Sequence, residues 1–185
     1  MTKTLIVYGT RYGAAASTSE EIANILRKEG LEVRVVNAKD EKVRDIAEYD
    51  LVVVGSGIQI HKWTGGPEDF LKKFQKELAR KKVALFVCCG SASQPTTEPP
   101  EVVAKAKTKY LDEKAAQYHL QPMALGFFGG VYNYNKVPWW GKKGMEMDRP
   151  RVEAAYKQTE LGIYDTRDWN AIRSWAKELA QQFPS

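Results

Sequence analysis

Residues 8–23 read "YGTRYGAAASTSEEIA". They follow Thr4-Leu5-Ile6-Val7, a short β-branched run that predicts a buried strand over residues 4–9. From Ser17 onward, Ile22, Ala23, Ile25 and Leu26 recur with helical spacing up to Gly30. Thr18-Ser19-Glu20-Glu21 places hydroxyl and acidic groups where a helix N-terminus accepts them. The spacing predicts a helix over 17–29. A strand, a turn of small residues and a helix start leave several backbone N–H groups unpaired and converging on one place. Such a place holds an anion, most often a phosphate.

Outward from this unit the chain alternates. Further strands are predicted at 32–36, 51–54 with Gly55 ending the strand, 83–88 and 123–128. Helices are predicted at 67–80, 99–118 and 166–182, with Val43–Tyr49 as one further turn. "DLVVVGS" (50–56) and "KVALFVCC" (82–89) are apolar without period-2 alternation, so both faces of these strands should be covered by helices. Repeated βα units then imply a doubly wound parallel α/β sheet with right-handed crossovers. At 185 residues, with no internal repeat, the chain reads as one domain over 1–185 with a long insertion at 129–159.

Composition narrows the function classes. No apolar run approaches the 18 residues of a membrane span, and Leu5 and Ile6 follow Met1 without the stretch of a signal peptide. The only cysteines, Cys88 and Cys89, are adjacent. Neighbours rarely meet disulfide geometry, so a reducing, cytoplasmic setting is expected. A net charge of +5 favours acidic partners or a negatively charged surface.

In a doubly wound sheet the ligand lies beyond the carboxyl ends of the strands. Three such ends, at Gly9-Thr10, Gly55-Ser56 and Cys89-Gly90, run into small or hydroxyl-bearing residues. The first is not a P-loop, because the lysine of GxxxxGK[ST] is missing. Nor is it a dinucleotide fingerprint, because GxGxxG does not occur. No metal-ligating cluster is expected, and no residue stands out as catalytic. His61 has no carboxylate partner nearby in sequence and reads as a surface residue.

"LIVYGTRYGAAASTSEEIA" resembles the phosphate loop of the flavodoxins, and the resemblance covers nearly the whole chain. Within that family the chain is most similar to the flavodoxin-type, menaquinone-dependent protoporphyrinogen oxidases. The residues that carry this are the Thr-Arg-x-Gly loop, Gly55-Ser56-Gly57-Ile58, the aromatic insertion, and Tyr164-Asp165-Thr166-Arg167-Asp168-Trp169. The resemblance implies a five-stranded sheet of order 2-1-3-4-5 and FMN as cofactor. It implies that Thr10, Arg11, Tyr12, Gly13, Ala14 and Ala15 wrap the phosphate. Ser56, Gly57, Ile58 and Gln59 would offer backbone groups to the flavin ring, Trp63 would stack on it, and Cys89, Gly90 and Ser91 would flank it. Where the family usually has a threonine hydroxyl this chain has Ala15, and Ser17 or Thr18 could stand in.

Two of these residues also have plainer readings: Arg11 as a solvated turn residue, and Trp63 as a hydrophobic staple before the helix near Pro67. Cys88 and Cys89 read as small core hydrophobes. "SASQPTTEPP" (91–100) replaces the acidic and tyrosine residues that ordinary flavodoxins carry after this strand.

The insertion, "GGVYNYNKVPWWGKKGMEMDRPRVEAAYK" (129–157), interleaves Tyr132, Tyr134, Trp139 and Trp140 with Lys136, Lys142, Lys143, Arg149 and Arg151. It reads as a platform beside the flavin for a flat substrate, as a peripheral membrane contact through 132–151, or as aromatics packed on the domain edge. No nucleic-acid module is present. The expected function is electron transfer through FMN to a redox partner protein or a quinone. The alternatives are a quinone-linked flavin oxidoreductase of the protoporphyrinogen oxidase type and a non-catalytic binding module.

Overall fold

The computed structural model describes residues 1–183. β1 (Lys3–Gly9) pairs in parallel with both β2 (Glu32–Asn37) and β3 (Leu51–Gln59). β3 pairs in parallel with β5 (Lys82–Cys88), and β5 with β6 (Ala124–Phe128), giving the order β2-β1-β3-β5-β6. β4 (Lys62–Trp63) is a two-residue antiparallel addition to the end of β3. With β4 set aside, the five parallel strands follow the expected order 2-1-3-4-5.

Alternation along each strand sends side chains to two apolar layers. Leu5, Val7, Val52, Val54, Leu85 and Val87 face α2 (Gly65–Leu78) through Phe70, Leu71 and Phe74. On that face also lies one long helical run, α3 (Pro100–Lys107), a wider turn at Thr108–Asp112 and α4 (Glu113–Gln117). Ile6, Leu51, Val53, Ala84 and Phe86 face the other way. They pack against Ile22 and Leu26 of α1 (Ala14–Lys28) and against Ile172, Ala176 and Leu179 of α6 (Trp169–Ala180). Both faces are therefore covered, which is why these strands show no polar alternation.

The structure corrects several expectations. Gly55 does not end β3, which continues to Gln59. A Cβ at Gly55 would lie 2.0 Å from the Phe86 ring, so the glycine serves close packing within the strand. α1 begins at Ala14, three residues early, because Gly13 adopts φ 95° and turns the chain directly into the helix. The further turn expected within Val43–Tyr49 is present, though it is not helical. One backbone bond, from the Tyr49 N–H to the Ile46 carbonyl (3.2 Å), closes a turn there.

The insertion is built rather than irregular. β7 (Val131–Asn133) pairs antiparallel with β8 (Ile163–Asp165), and α5 (Trp139–Ala155) lies between them in sequence. Val152, Tyr156 and Tyr164 form a small core of their own with Tyr132 and Tyr134. The Tyr132 and Tyr156 rings stack at 6.1 Å, and Tyr134 meets Tyr164 edge-on at 6.0 Å. Among the described residues no helix is long and apolar enough to cross a membrane.

Candidate functional site

The first loop is shaped by its own side chains. The Thr10 hydroxyl accepts a hydrogen bond from the Gly13 N–H at 2.9 Å, which curls residues 10–13 around one point. α1 then starts at once. The amides of Ala14, Ala15 and Ala16 sit in its first turn, where no helical carbonyl can reach them. Arg11 is exposed in the turn, but not without a partner. Its guanidinium lies 4.9 Å from the Trp140 ring centroid, a cation–π contact that ties the loop to α5.

Ala15 is fully buried in the apolar layer between α1 and the sheet. Both suggested stand-ins for a threonine there already have hydrogen-bond partners. Ser17 donates to the Gly13 carbonyl (3.1 Å) and accepts from Arg167 (2.6 Å), and Thr18 accepts from Arg167 at 3.2 Å. Ala15→Thr should therefore overpack the layer and cost about 1–3 kcal/mol of stability, seen as an earlier urea midpoint. A midpoint at or above that of the parent protein would show that the layer has room.

The second strand end is a hairpin, not a loop. Ile58 pairs with Trp63 and Gln59 with Lys62, across a two-residue turn at Ile60-His61 with φ 47° and 58°. The Ser56 hydroxyl donates to the Gly57 carbonyl (2.8 Å) and accepts from the Thr64 N–H (2.9 Å), which secures the hairpin base. Trp63 is only 7% exposed, and its indole N–H donates to the Tyr110 carbonyl at 2.9 Å. It belongs to the core under α2, nearer the staple reading than the stacking one.

At the third strand end, the Cys89 N–H donates to the Phe128 carbonyl (2.9 Å), and Gly90–Ala92 makes one tight turn. Burial pushes the Cys88 thiol up to about 11 and the Cys89 thiol up to about 12, so both stay protonated near neutrality.

The three strand ends open on one cleft of about 260 Å³. Of the predicted residues it brings together Thr10, Arg11, Tyr12, Ala14, Gly57, Ile58, Gln59, Cys89 and Gly90. Gly13, Ala15, Ser56, Trp63 and Ser91 stand outside its lining, the first four as supports of the turn, the helix layer and the hairpin. Residue-level reading missed Thr64, Gly130 and Val131, and the inner side of α5 at Gly144, Met145 and Asp148. Tyr132 and Tyr134 line the cleft as well as packing behind it. The aromatic content of the insertion marked it as a wall. Nothing in the pattern marked Gly144 or Asp148.

The α5 wall carries its own ion pair. Arg151 grips both oxygens of Asp148 (2.7 and 2.8 Å) and reaches the Thr97 hydroxyl (2.7 Å). The hydrogen bond from Arg151 holds the Asp148 carboxyl below its ordinary range. Burial pushes the Tyr134 phenol up to about 12.

A family model for the flavodoxin domain matches residues 5–157. The chain belongs to the flavodoxin family. It is 23% identical over 184 residues to a protoporphyrinogen IX dehydrogenase [quinone] of Escherichia coli K12, covering 96% of this chain and 94% of that protein. A flavodoxin of Maridesulfovibrio salexigens is 29% identical over 96 residues, 49% of this chain and 66% of that protein. The structure of a Fusobacterium nucleatum flavodoxin bound to flavin mononucleotide matches with a TM-score of 0.56 at 15% identity, over 100% of both chains. The parallel sheet, its strand order and the cleft beyond its carboxyl ends are those of a flavodoxin fold.

Proposed function

We propose that this flavodoxin-family protein binds FMN in the cleft and transfers electrons through it. The observation that carries the reading is the set of unpaired first-turn amides of α1 opening on the same cleft as the ends of β3 and β5. The residues present suit the group. One anion cradle matches one phosphate, and the apolar walls at Ile58 and Tyr132 suit a flat ring. Thr10–Ala15 would hold the phosphate, with Thr10, Gly13 and Ala15 acting through the shape of the turn. Gly57, Ile58 and Gln59 on one side and Cys89-Gly90-Ser91 on the other would meet the ring. Bound flavin supplies one- and two-electron redox chemistry. The chain's part is to fix the ring between two strand ends and to screen it with α5. The whole of 1–185 acts as one such domain.

Equilibrium titration by flavin fluorescence tests this. FMN is expected to bind at least tenfold more tightly than FAD, because the cleft, among the described residues, offers one phosphate cradle at the start of α1. Tighter FAD binding would reject the proposal, and no flavin binding would leave a non-catalytic binding module.

One observation favours a second reading, a quinone-linked oxidoreductase of the protoporphyrinogen type, in line with the name of the Escherichia coli relative. α5 walls the cleft on its inner side and exposes Trp139 (88%), Trp140 (50%) and Met147 (76%) on its outer side. Lys136, Lys142 and Lys143 are exposed beside them and carry no ion pair among the described residues. Arg149 and Arg151 instead pair within α5. Apolar rings among free lysines suit an anionic lipid surface that holds a quinone, or an acidic redox protein. A cytoplasmic protein with this peripheral contact fits both readings.

A further inference from the structure

Arg167 lies in the segment between β8 and α6, far in sequence from the first loop, yet its side chain is only 6% exposed. All three of its side-chain nitrogens donate hydrogen bonds. Nε and Nη2 grip the two oxygens of Asp165 at 2.8 and 2.7 Å. Nη1 reaches the first turn of α1, donating to the Ala14 carbonyl (2.9 Å), the Ser17 hydroxyl (2.6 Å) and the Thr18 hydroxyl (3.2 Å). The guanidinium plane rests on Trp169, 4.2 Å from its centroid, and the Trp169 indole N–H also donates to Asp165 (3.3 Å).

The same segment touches the cleft wall a second time. The N–H and hydroxyl of Thr166 both donate to the Gly130 carbonyl (3.0 Å each), and Gly130 lines the cleft.

We infer that Arg167 is a positioning residue for the anion cradle: it pins the first turn of α1 so that the amides of Ala14–Ala16 converge. This deepens the FMN proposal and rests on it for the identity of the anion. First turns fray because their N–H groups lack partners, and Gly13 gives this one a flexible hinge. Arg167 offsets that from the side. It holds Ser17, whose hydroxyl in turn bonds the Gly13 carbonyl at 3.1 Å. Asp165 neutralises the guanidinium at bonding distance, so its effect on a phosphate comes from placing donors and not from added charge. The pairing also keeps the guanidinium fork in one orientation, which a lysine could not reproduce.

Three variants, Arg167→Met, Arg167→Lys and Ser17→Ala, test the inference by two measurements. The first compares dissociation constants for FMN and riboflavin. Arg167→Met should weaken FMN about tenfold and riboflavin less than twofold, with Arg167→Lys between parent and methionine. Ser17→Ala removes one contact of the chain without unpairing a buried charge, so it should fold even if Arg167→Met does not. It should weaken FMN about two- to fivefold. The second measurement is amide hydrogen exchange in the flavin-free protein. Protection at Ser17, bonded to the Gly13 carbonyl at 3.1 Å, and at Thr18 should fall in all three variants while the middle of α1 keeps its own. Equal weakening of FMN and riboflavin would overturn the inference and make Arg167 a general fastener of the C-terminal segment. So would unchanged FMN affinity in Ser17→Ala together with unchanged protection. If the parent protein binds no flavin, the FMN proposal fails by itself, and exchange at Ser17 and Thr18 still decides whether Arg167 pins the turn.

Discussion

Gly55→Ala is expected to destabilise the protein by about 3 kcal/mol, the upper end of what one added methyl costs in a filled core. The added Cβ would stand 2.0 Å from the Phe86 ring. That ring cannot retreat. Phe86 is fully buried, and its neighbours Phe128 and Trp175 hold it at centroid distances of 6.0 and 6.4 Å. Gly55 is also fixed from both sides, paired with Tyr8 of β1 and Phe86 of β5, so the backbone has no cheap way to shift. Against a total stability of about 5–15 kcal/mol this is a large loss. Urea unfolding measures it, and the double variant with Phe86→Leu gives the control. If the clash is the cause, Phe86→Leu should cost less in the Gly55→Ala background than alone. A Gly55→Ala protein within about 0.5 kcal/mol of the parent would refute the packing account.

The same glycine shows what a one-dimensional reading can and cannot recover. Hydrophobic continuity in "DLVVVGS" placed a strand buried on both faces, because an unbroken apolar run leaves neither face of a strand suited to water. Whether a glycine ends a strand or admits a distant ring depends on Phe86, about thirty places away, and no local pattern carries that. The Thr10–Gly13 turn was legible because its chemistry is local: a hydroxyl, a glycine, a helix start. Trp63 was not, because its partner is the Tyr110 carbonyl on a helix much later in the chain. α5 was hidden for another reason. Gly141, Gly144 and Pro150 lower its helix propensity, and packing of Val152 against Tyr156 and Tyr164 overrides that preference. Ser17 and Thr18 looked free for a phosphate until Arg167 arrived from the far end of the chain.

Replacing both Trp139 and Trp140 by alanine is expected to slow electron delivery to a membrane quinone about tenfold while leaving a small inorganic acceptor unaffected. The two side chains are 88% and 50% exposed, so their removal should change stability by no more than about 0.5 kcal/mol, apart from the Arg11 contact to Trp140. The protein should still bind FMN, because neither tryptophan lines the cleft. What is lost is apolar area that can seat at a lipid interface beside Lys142 and Lys143. A tenfold change is 1.4 kcal/mol, well within reach of two exposed indoles. Three small-acceptor rates and one protein rate separate the readings: transfer to a water-soluble quinone, to a long-chain quinone in anionic vesicles and to ferricyanide, which needs no pocket, and transfer to an acidic redox protein. A loss confined to the vesicle quinone places the tryptophans at a membrane surface. A loss with both quinones but not ferricyanide places them at a quinone pocket bounded by α5. If all three rates hold and only transfer to an acidic redox protein falls, the face is a protein-docking surface and the quinone reading is wrong. Raising the salt then adds a check on the lysines, since screening should slow the vesicle reaction of the parent protein and leave ferricyanide comparison runs to correct for ionic-strength effects on the acceptor itself.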